Sequence, residues 1–190
     1  EQAKRMGAML TGLLEYSRIG RKSEVIEDVD TAALVAEIVA SLARPPGVEI
    51  AIAGSWPRLR TLAQPLDITL RNLIENAVKH HDRETGRIGV TAAPEGEFLR
   101  LTIDDDGPGI PPQWHDAIFE PFKRIADDEE APEGAGIGLA LVKKTIVWCG
   151  GRIEVKSNPA ARRGATFIVH WPTTIPGVEP EPTTPISGAH

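Results

Sequence analysis

Two asparagines four residues apart, Asn72 and Asn76, stand in the run Asn72-Leu73-Ile74-Glu75-Asn76-Ala77-Val78-Lys79-His80. On a helix this spacing stacks them on one flank, with Lys79 and His80 one turn further on. Two amide carbonyls can hold a hard cation such as Mg²⁺, with water and phosphate completing its shell, and the lysine adds charge for phosphate. The same residues also read as a solvated polar face with an ordinary Glu75–Lys79 ion pair. A second run, Ile103-Asp104-Asp105-Asp106-Gly107-Pro108-Gly109-Ile110, crowds three carboxylates at the end of a strand. Their repulsion requires a specific partner for at least one. A carboxylate can accept from an exocyclic amine while the glycines let a flat ring approach the backbone. The alternative is an acidic turn. In Phe119-Glu120-Pro121-Phe122, two aromatics in a polar loop can pack that loop back onto the domain. In Gly134-Ala135-Gly136-Ile137-Gly138-Leu139-Ala140-Leu141-Val142, alternate glycines lead into an apolar helix whose free N–H groups can meet phosphate, or else form a hinge.

The elements that must position these residues follow from periodicity. Met6, Met9, Leu10, Leu13 and Leu14 recur at helical steps over 1–22, an uncapped stripe that calls for a partner helix and suggests a longer chain upstream. Residues 23–30 read as extended. Asp30-Thr31 can cap a helix running to about Arg44, which Pro45-Pro46 ends. Val48, Ile50 and Ile52 alternate as a strand. Pro65 can stand in the first turn of a helix with the stripe Leu66, Leu70, Leu73, Ile74 and Ala77, ending near His81. Segments 87–93 and 98–104 form a hairpin around Glu95-Gly96. Segment 105–137 has little periodicity, and a connection this long is functional or disordered. A helix over 138–149 and a closing hairpin, 152–157 with 164–170, complete the pattern. From Thr173 the composition of Pro, Thr, Gly and Glu predicts a disordered tail. Helices thus fall on one face of a mixed sheet.

Several chemistries are excluded. The 190 residues carry a net charge of −6, against a dedicated nucleic-acid binder. One cysteine, Cys149, permits neither an internal disulfide nor a Cys-based zinc site. No run reaches the roughly 18 apolar residues of a membrane span, so this stretch predicts no membrane contact and a cytoplasmic place. There is no P-loop lysine motif, no H-R-D or D-F-G, and no G-x-G-x-x-G after a strand. With Gly107 at the sixth position of an EF-hand loop, the twelfth would be Gln113, so that reading fails.

In this order the four runs resemble the N, G1, F and G2 boxes of the sensor histidine kinase ATP-binding domain, in the superfamily (GHKL, Bergerat fold) that includes type II topoisomerases, Hsp90 and MutL. The resemblance covers residues 5–172. It implies an α+β fold: a two-layer α/β sandwich with a mixed sheet packed on three helices, preceded by one helix. Residues 1–22 would be the last helix of a truncated dimerisation and phosphotransfer domain, 24–172 the catalytic domain, and 173–190 the tail. The cofactors implied are ATP and Mg²⁺. By resemblance, Asn76 with Asn72 holds the metal, and Lys79 with Asn76 serves catalysis. Lys79 and His80 face the phosphates. Asp105 reads the adenine amino group, while Gly107, Gly109, Ile110 and Phe122 line the pocket. Gly134, Ala135, Gly136, Ile137, Gly138 and Leu139 form the lid and its base.

The implied reaction moves the γ-phosphate to a histidine on a preceding helix, and no histidine lies in residues 1–79. The implied partners are a second copy of the full-length protein, a response regulator receiver domain and an upstream sensor. The Lys79-His80-His81-Asp82-Arg83 stretch points to a sensor of PAS or phytochrome type. Three features depart from the family pattern. Asp106 stands where Asn is frequent and adds negative charge near the nucleotide. Ala135 lacks the frequent hydroxyl, and Asp127-Asp128-Glu129-Glu130 makes the lid acidic. Two other readings remain: a degenerate nucleotide-binding and dimerisation module, and an anti-sigma-type Ser/Thr kinase, against which the helix at 1–22 argues.

Overall fold

The computed structural model describes residues 2–20, 25–123 and 136–175. The described residues form strands β1 (Ile26–Asp30), β2 (Gly47–Gly54), β3 (Arg58–Leu62), β4 (Thr85–Glu95), β5 (Phe98–Asp105), β6 (Arg152–Asn158) and β7 (Arg162–Pro172). Five of them form one mixed sheet in the order β2-β4-β5-β7-β6. The β4–β5 and β6–β7 hairpins are antiparallel, as is β5 with β7, whereas β2 lies parallel to β4. A parallel neighbour needs a crossover, which β3 and helix α3 (Ala63–Lys79) supply.

The period of two sorts each strand into faces. Leu99, Leu101 and Ile103 of β5 and Phe167, Val169 and Trp171 of β7 are buried on one side. Against them pack Val35 and Ile38 of α2 (Thr31–Ser41), Leu66, Leu70, Leu73 and Ile74 of α3, and Val142 and Ile146 of α4 (Gly138–Trp148). This is the two-layer α+β architecture expected, three helices on one face of a mixed sheet. At about 25 cal/mol per Å² of apolar surface, this layer is the main stabilising contribution.

Local chemistry sets the helix ends. The Asp30 carboxylate accepts from the Ala33 N–H at 3.0 Å and caps α2. That helix stops at Ser41, earlier than the proline pair suggests. Leu42 is already extended, and the Arg44 guanidinium turns back to the Val39 carbonyl at 3.3 Å. Strand β3 was not evident from periodicity. It pairs antiparallel with β1 in a separate two-stranded sheet, from Ile26–Leu62 to Asp30–Arg58. The buried Trp171 indole N–H donates to Thr61 Oγ1 at 2.9 Å, joining that ribbon to the main sheet.

Helix α1 (Gln2–Arg18) lies along α4. The Lys144 ammonium donates to the Tyr16 carbonyl at 2.6 Å and sits 4.1 Å over the Tyr16 ring. Gly12 faces Ile137, and Gly20 faces Trp148. Leu10, Leu13 and Leu14 remain exposed. At the other end, the Thr173 N–H and hydroxyl both donate to the Glu97 carbonyl at 2.9 Å, and Ile175 is buried. The chain thus stays packed three residues past the expected boundary at 172. Residues 176–190 and 124–135, with Gly134, Ala135 and the acidic run 127–130, lie outside the described residues. No helix among the described residues is long and apolar enough to cross a membrane.

Candidate nucleotide site

Helix α3 buries Leu66, Leu70, Leu73, Ile74 and Ala77, so Asn72 and Asn76 stand half-buried on the adjoining flank. The Asn72 side-chain N–H donates to the Ile68 carbonyl at 2.8 Å. That bond fixes the amide and leaves its oxygen turned toward α4, where a Cβ on Gly138 would come within 2.9 Å of it. A side chain at the first position of α4 would have to displace the Asn72 amide. The N-box amide and the helix N-terminus meet across this gap. Lys79 and His80 are exposed at the end of α3, and the His80 N–H donates to the Asn76 carbonyl at 3.0 Å.

The three clustered carboxylates are separated by the pleat. Asp104 points to the open face, where it accepts from Arg162 at 3.2 Å and from the Thr166 hydroxyl. Asp105 continues the buried row of Leu101 and Ile103. Its Oδ1 accepts from the Gly107 N–H at 3.0 Å and from the Ala165 N–H at 3.3 Å. Burial pushes its carboxyl above the ordinary carboxylate range, and these two N–H donors only partly oppose that. Both bonds fall on Oδ1, so the chemistry left to this group is that of Oδ2. Asp106 accepts from the Arg87 N–H and from His81 Nε2, each at 2.9 Å. Partial burial opposes its charge, but the two donors outweigh that and hold it below the ordinary range. One oxygen of Asp106 thus serves the His81 ring and the Arg87 backbone.

Glycines allow close packing of the loop that follows Asp105. A Cβ on Gly107 would sit 2.9 Å from Asp105 Oδ1 and 3.7 Å from the His80 carbonyl, so the second run touches the end of α3. Gly109 (φ 80°) lies against the Gly164 carbonyl and Ser157 Oγ. Ser157 is a residue that the motifs do not reveal. It accepts from the Ile110 N–H at 2.8 Å and donates to the Gly164 carbonyl at 2.7 Å, tying the loop to the β6–β7 hairpin. Ile110 itself packs into the core.

The two phenylalanines divide their work. Phe119 is buried, edge-on to Phe167 at 6.4 Å with Lys143 5.1 Å above it, and is the loop's apolar anchor. Phe122 is 48% exposed with a φ of 65°. Its N–H donates to the Gly136 carbonyl at 2.8 Å, so both ends of the stretch between them meet. Gly136 also has a positive φ, 66°. Ile137 is buried and turned to Gly12 of α1, and Leu139 packs against the core. The structure therefore brings Asn72 to Gly138, and Gly107 to Asp105 and the His80 backbone. It gives the side chains of Ile110, Ile137 and Leu139 to packing. His81, buried beside Asp106, is a further residue that spacing alone does not single out.

This arrangement of helix, acidic strand end and glycine-led helix defines a class of nucleotide-dependent proteins. Residues 61–175 match the family of histidine kinase-, DNA gyrase B-, and HSP90-like ATPases, and the chain belongs to it. Within that family, it corresponds to the ATP-binding catalytic part of a sensor histidine kinase. The chain is 32% identical over 177 residues to the methanogenesis regulatory histidine kinase FilI of Methanothrix harundinacea, covering 91% of this chain and 19% of that protein. It is 31% identical over 172 residues to cyanobacterial phytochrome B of Nostoc sp., covering 86% of this chain and 22% of that protein. Full-length ShkA, solved in complex with AMPPNP, matches with a TM-score of 0.73 at 29% identity, over 86% of this chain and 35% of that one. The chain thus spans less than a quarter of the length of the first two relatives.

Proposed function

We propose that this chain binds ATP with Mg²⁺ between α3 and the β5 end and presents the γ-phosphate to a histidine on a separate helix. The observation that carries the reading is the half-buried Asp105, with one oxygen satisfied by backbone and the other left as a single acceptor. Asp105 Oδ2 accepts from the adenine amino group, and Gly107 and Gly109 allow the ring to approach. Lys79 and His80 at the helix end neutralise phosphate charge, with the first turn of α4 and its Gly138 opposite. Phosphoryl transfer depends mainly on such positioning and charge neutralisation.

The donor set fits Mg²⁺. Among the described residues there is no cluster of three or more His, Cys, Asp or Glu side chains that could hold a metal. Mg²⁺ is commonly held by few protein oxygens plus phosphate and water. Asn76, with the oriented Asn72 oxygen, would supply them. The bound ion would neutralise charge on the phosphate oxygens.

Residues 1–22 form, in this reading, the end of a dimerisation and phosphotransfer domain, and 24–172 the catalytic domain. The exposed Leu10, Leu13 and Leu14 support a partner helix from a second copy. A response regulator receives the phosphoryl group, and the similarity to a phytochrome supports an upstream sensor of PAS or phytochrome type.

Titration of ATP with and without Mg²⁺ tests the reading. Asn76→Ala should weaken Mg-ATP by about tenfold, the loss of roughly 1.4 kcal/mol, and metal-free ATP much less. Equal losses in both titrations would remove the metal role. Incubated alone with γ-labelled ATP, the 190-residue chain should acquire no acid-labile, base-stable label, because its helix α1 carries no histidine. Such label on this chain would show that one of its five histidines is an acceptor.

A further inference from the structure

His81 and Asp106 belong to different motifs, and the nucleotide reading uses neither. They are joined in the fold. The His81 ring is 1% exposed, and its Nε2 lies 2.9 Å from Asp106 Oδ1. A buried imidazole needs partners on both nitrogens. His81 Nδ1 is 3.1 Å from the Arg83 carbonyl and 3.3 Å from the Arg83 N–H. One neighbour accepts and the other donates. With the ring proton on Nε2, Nδ1 accepts from the Arg83 N–H and Nε2–H donates to Asp106, so both nitrogens are satisfied.

The site is built for this ring. A Cβ on Gly86 would overlap His81 Nε2, so the histidine occupies the notch that glycine leaves on β4. The Arg87 N–H, one residue on, donates to the same Asp106 oxygen at 2.9 Å. The next residue of the loop, Asp82, pairs with Arg163 of β7. Two consecutive residues leaving α3 thus grip the strands on both sides of Asp105: Asp106 at the end of β5, and Arg163 beside Gly164. The exposed Asp82–Arg163 pair contributes little. In the His81 contact the imidazole is buried and the carboxylate half-exposed.

We propose that His81 and Asp106 are a positioning pair that holds the phosphate-facing end of α3 in register with the adenine-reading Asp105, and so sets nucleotide affinity and base preference. This rests on the ATP reading of the site. At 106 a single side-chain oxygen accepts from both the His81 ring and the Arg87 N–H, a task that an amide oxygen also fulfils. The pair acts through Asp105 and the α3 terminus and touches no reacting atom.

The test is calorimetric titration of ATP and GTP, with Mg²⁺, into the full chain and its His81→Ala, Asp106→Ala and doubly substituted forms. Each single change should weaken ATP about tenfold and lower the ATP-to-GTP affinity ratio, and the double should match Asp106→Ala alone. Asp106→Asn keeps the accepting oxygen and should remain within about twofold of the parent. It also covers the case in which His81→Ala does not fold. A purely structural role would lower the fraction of binding-competent molecules while leaving the affinity ratio unchanged, and that result overturns the proposal. So does a double variant whose losses multiply, or an Asp106→Asn form as weak as Asp106→Ala. If the parent chain binds no ATP, the nucleotide reading itself falls. Parent binding with uncoupled variants removes only the pair.

Discussion

Replacing Asp105 with Asn is expected to make the ligand-free domain more stable at neutral pH and a poorer ATP binder. The carboxyl of Asp105 is held above the ordinary range by burial. Between the unfolded value, about 3.9, and that raised folded value, the native state holds more protons than the unfolded state. Stability contributed by this group therefore falls as pH rises through that window. The amide removes the charge, while its oxygen still accepts from the Gly107 and Ala165 N–H groups. A melting temperature gain on the order of 2–4 °C would correspond to about 1 kcal/mol in a domain of this size. The gain should shrink as pH falls toward 4. Meanwhile the amide N–H₂ stands where Oδ2 stood and faces the adenine amino group, donor against donor. ATP affinity should drop by about 5- to 150-fold, the range for one unsatisfied buried polar group of 1–3 kcal/mol. The preference over GTP, whose base presents a carbonyl at that edge, should narrow. An Asp105→Asn form with unchanged stability and unchanged ATP-to-GTP ratio would contradict both the burial argument and the assigned role.

Gly164→Ala should destabilise the domain far more than Gly96→Ala. Gly164 has a φ of 92°, and a Cβ there would overlap the Asp105 carbonyl oxygen and lie 3.1 Å from Asp106 Cα. Left-handed backbone strain of about 1–2 kcal/mol adds to overpacking of about 1–3 kcal/mol, against rigid backbone that no rotamer can relieve. A fall in melting temperature of roughly 10 °C follows for a domain of this size. Gly96→Ala is the matched control. It too has a positive φ, 60°, but nothing lies within 4 Å of its would-be Cβ, so only the backbone strain applies. Thermal melts of the two variants should differ by more than twofold in the loss. Equal losses would mean that the contact with Asp105 is relieved by movement of β7.

How much of this was legible in the residues depends on the range of the physics involved. The α3 stripe and the β5 alternation are local, and both appear in the structure where periodicity puts them. The same alternation separates the acidic run, since Asp105 shares the parity of Leu99, Leu101 and Ile103, whereas Asp104 does not. Strand β3 was hidden. Arg58-Leu59-Arg60-Thr61-Leu62 is short and polar, and it becomes a strand by pairing with β1 across the whole of α2. The His81–Asp106 contact was hidden for the same reason: 25 residues separate its partners, and only the hairpin register brings them together. Phe119 and Phe122 look equivalent in sequence. The buried edge-on contact with Phe167, from the far strand β7, is what distinguishes them. Ser157, too, acts through partners 47 and 7 residues away.

The bond between the Phe122 N–H and the Gly136 carbonyl has a consequence for engineering. It pinches the chain shut at the base of the connection between the F and G2 runs, so the sheet and helices meet a closed neck whatever the length of the connection. Closing a longer loop costs only logarithmically more, about 0.6 kcal/mol per doubling. This neck is therefore the place to graft a reporter peptide or a small guest domain. Coupling of the guest to nucleotide would run through Phe122 and Gly136 at the neck rather than through the core.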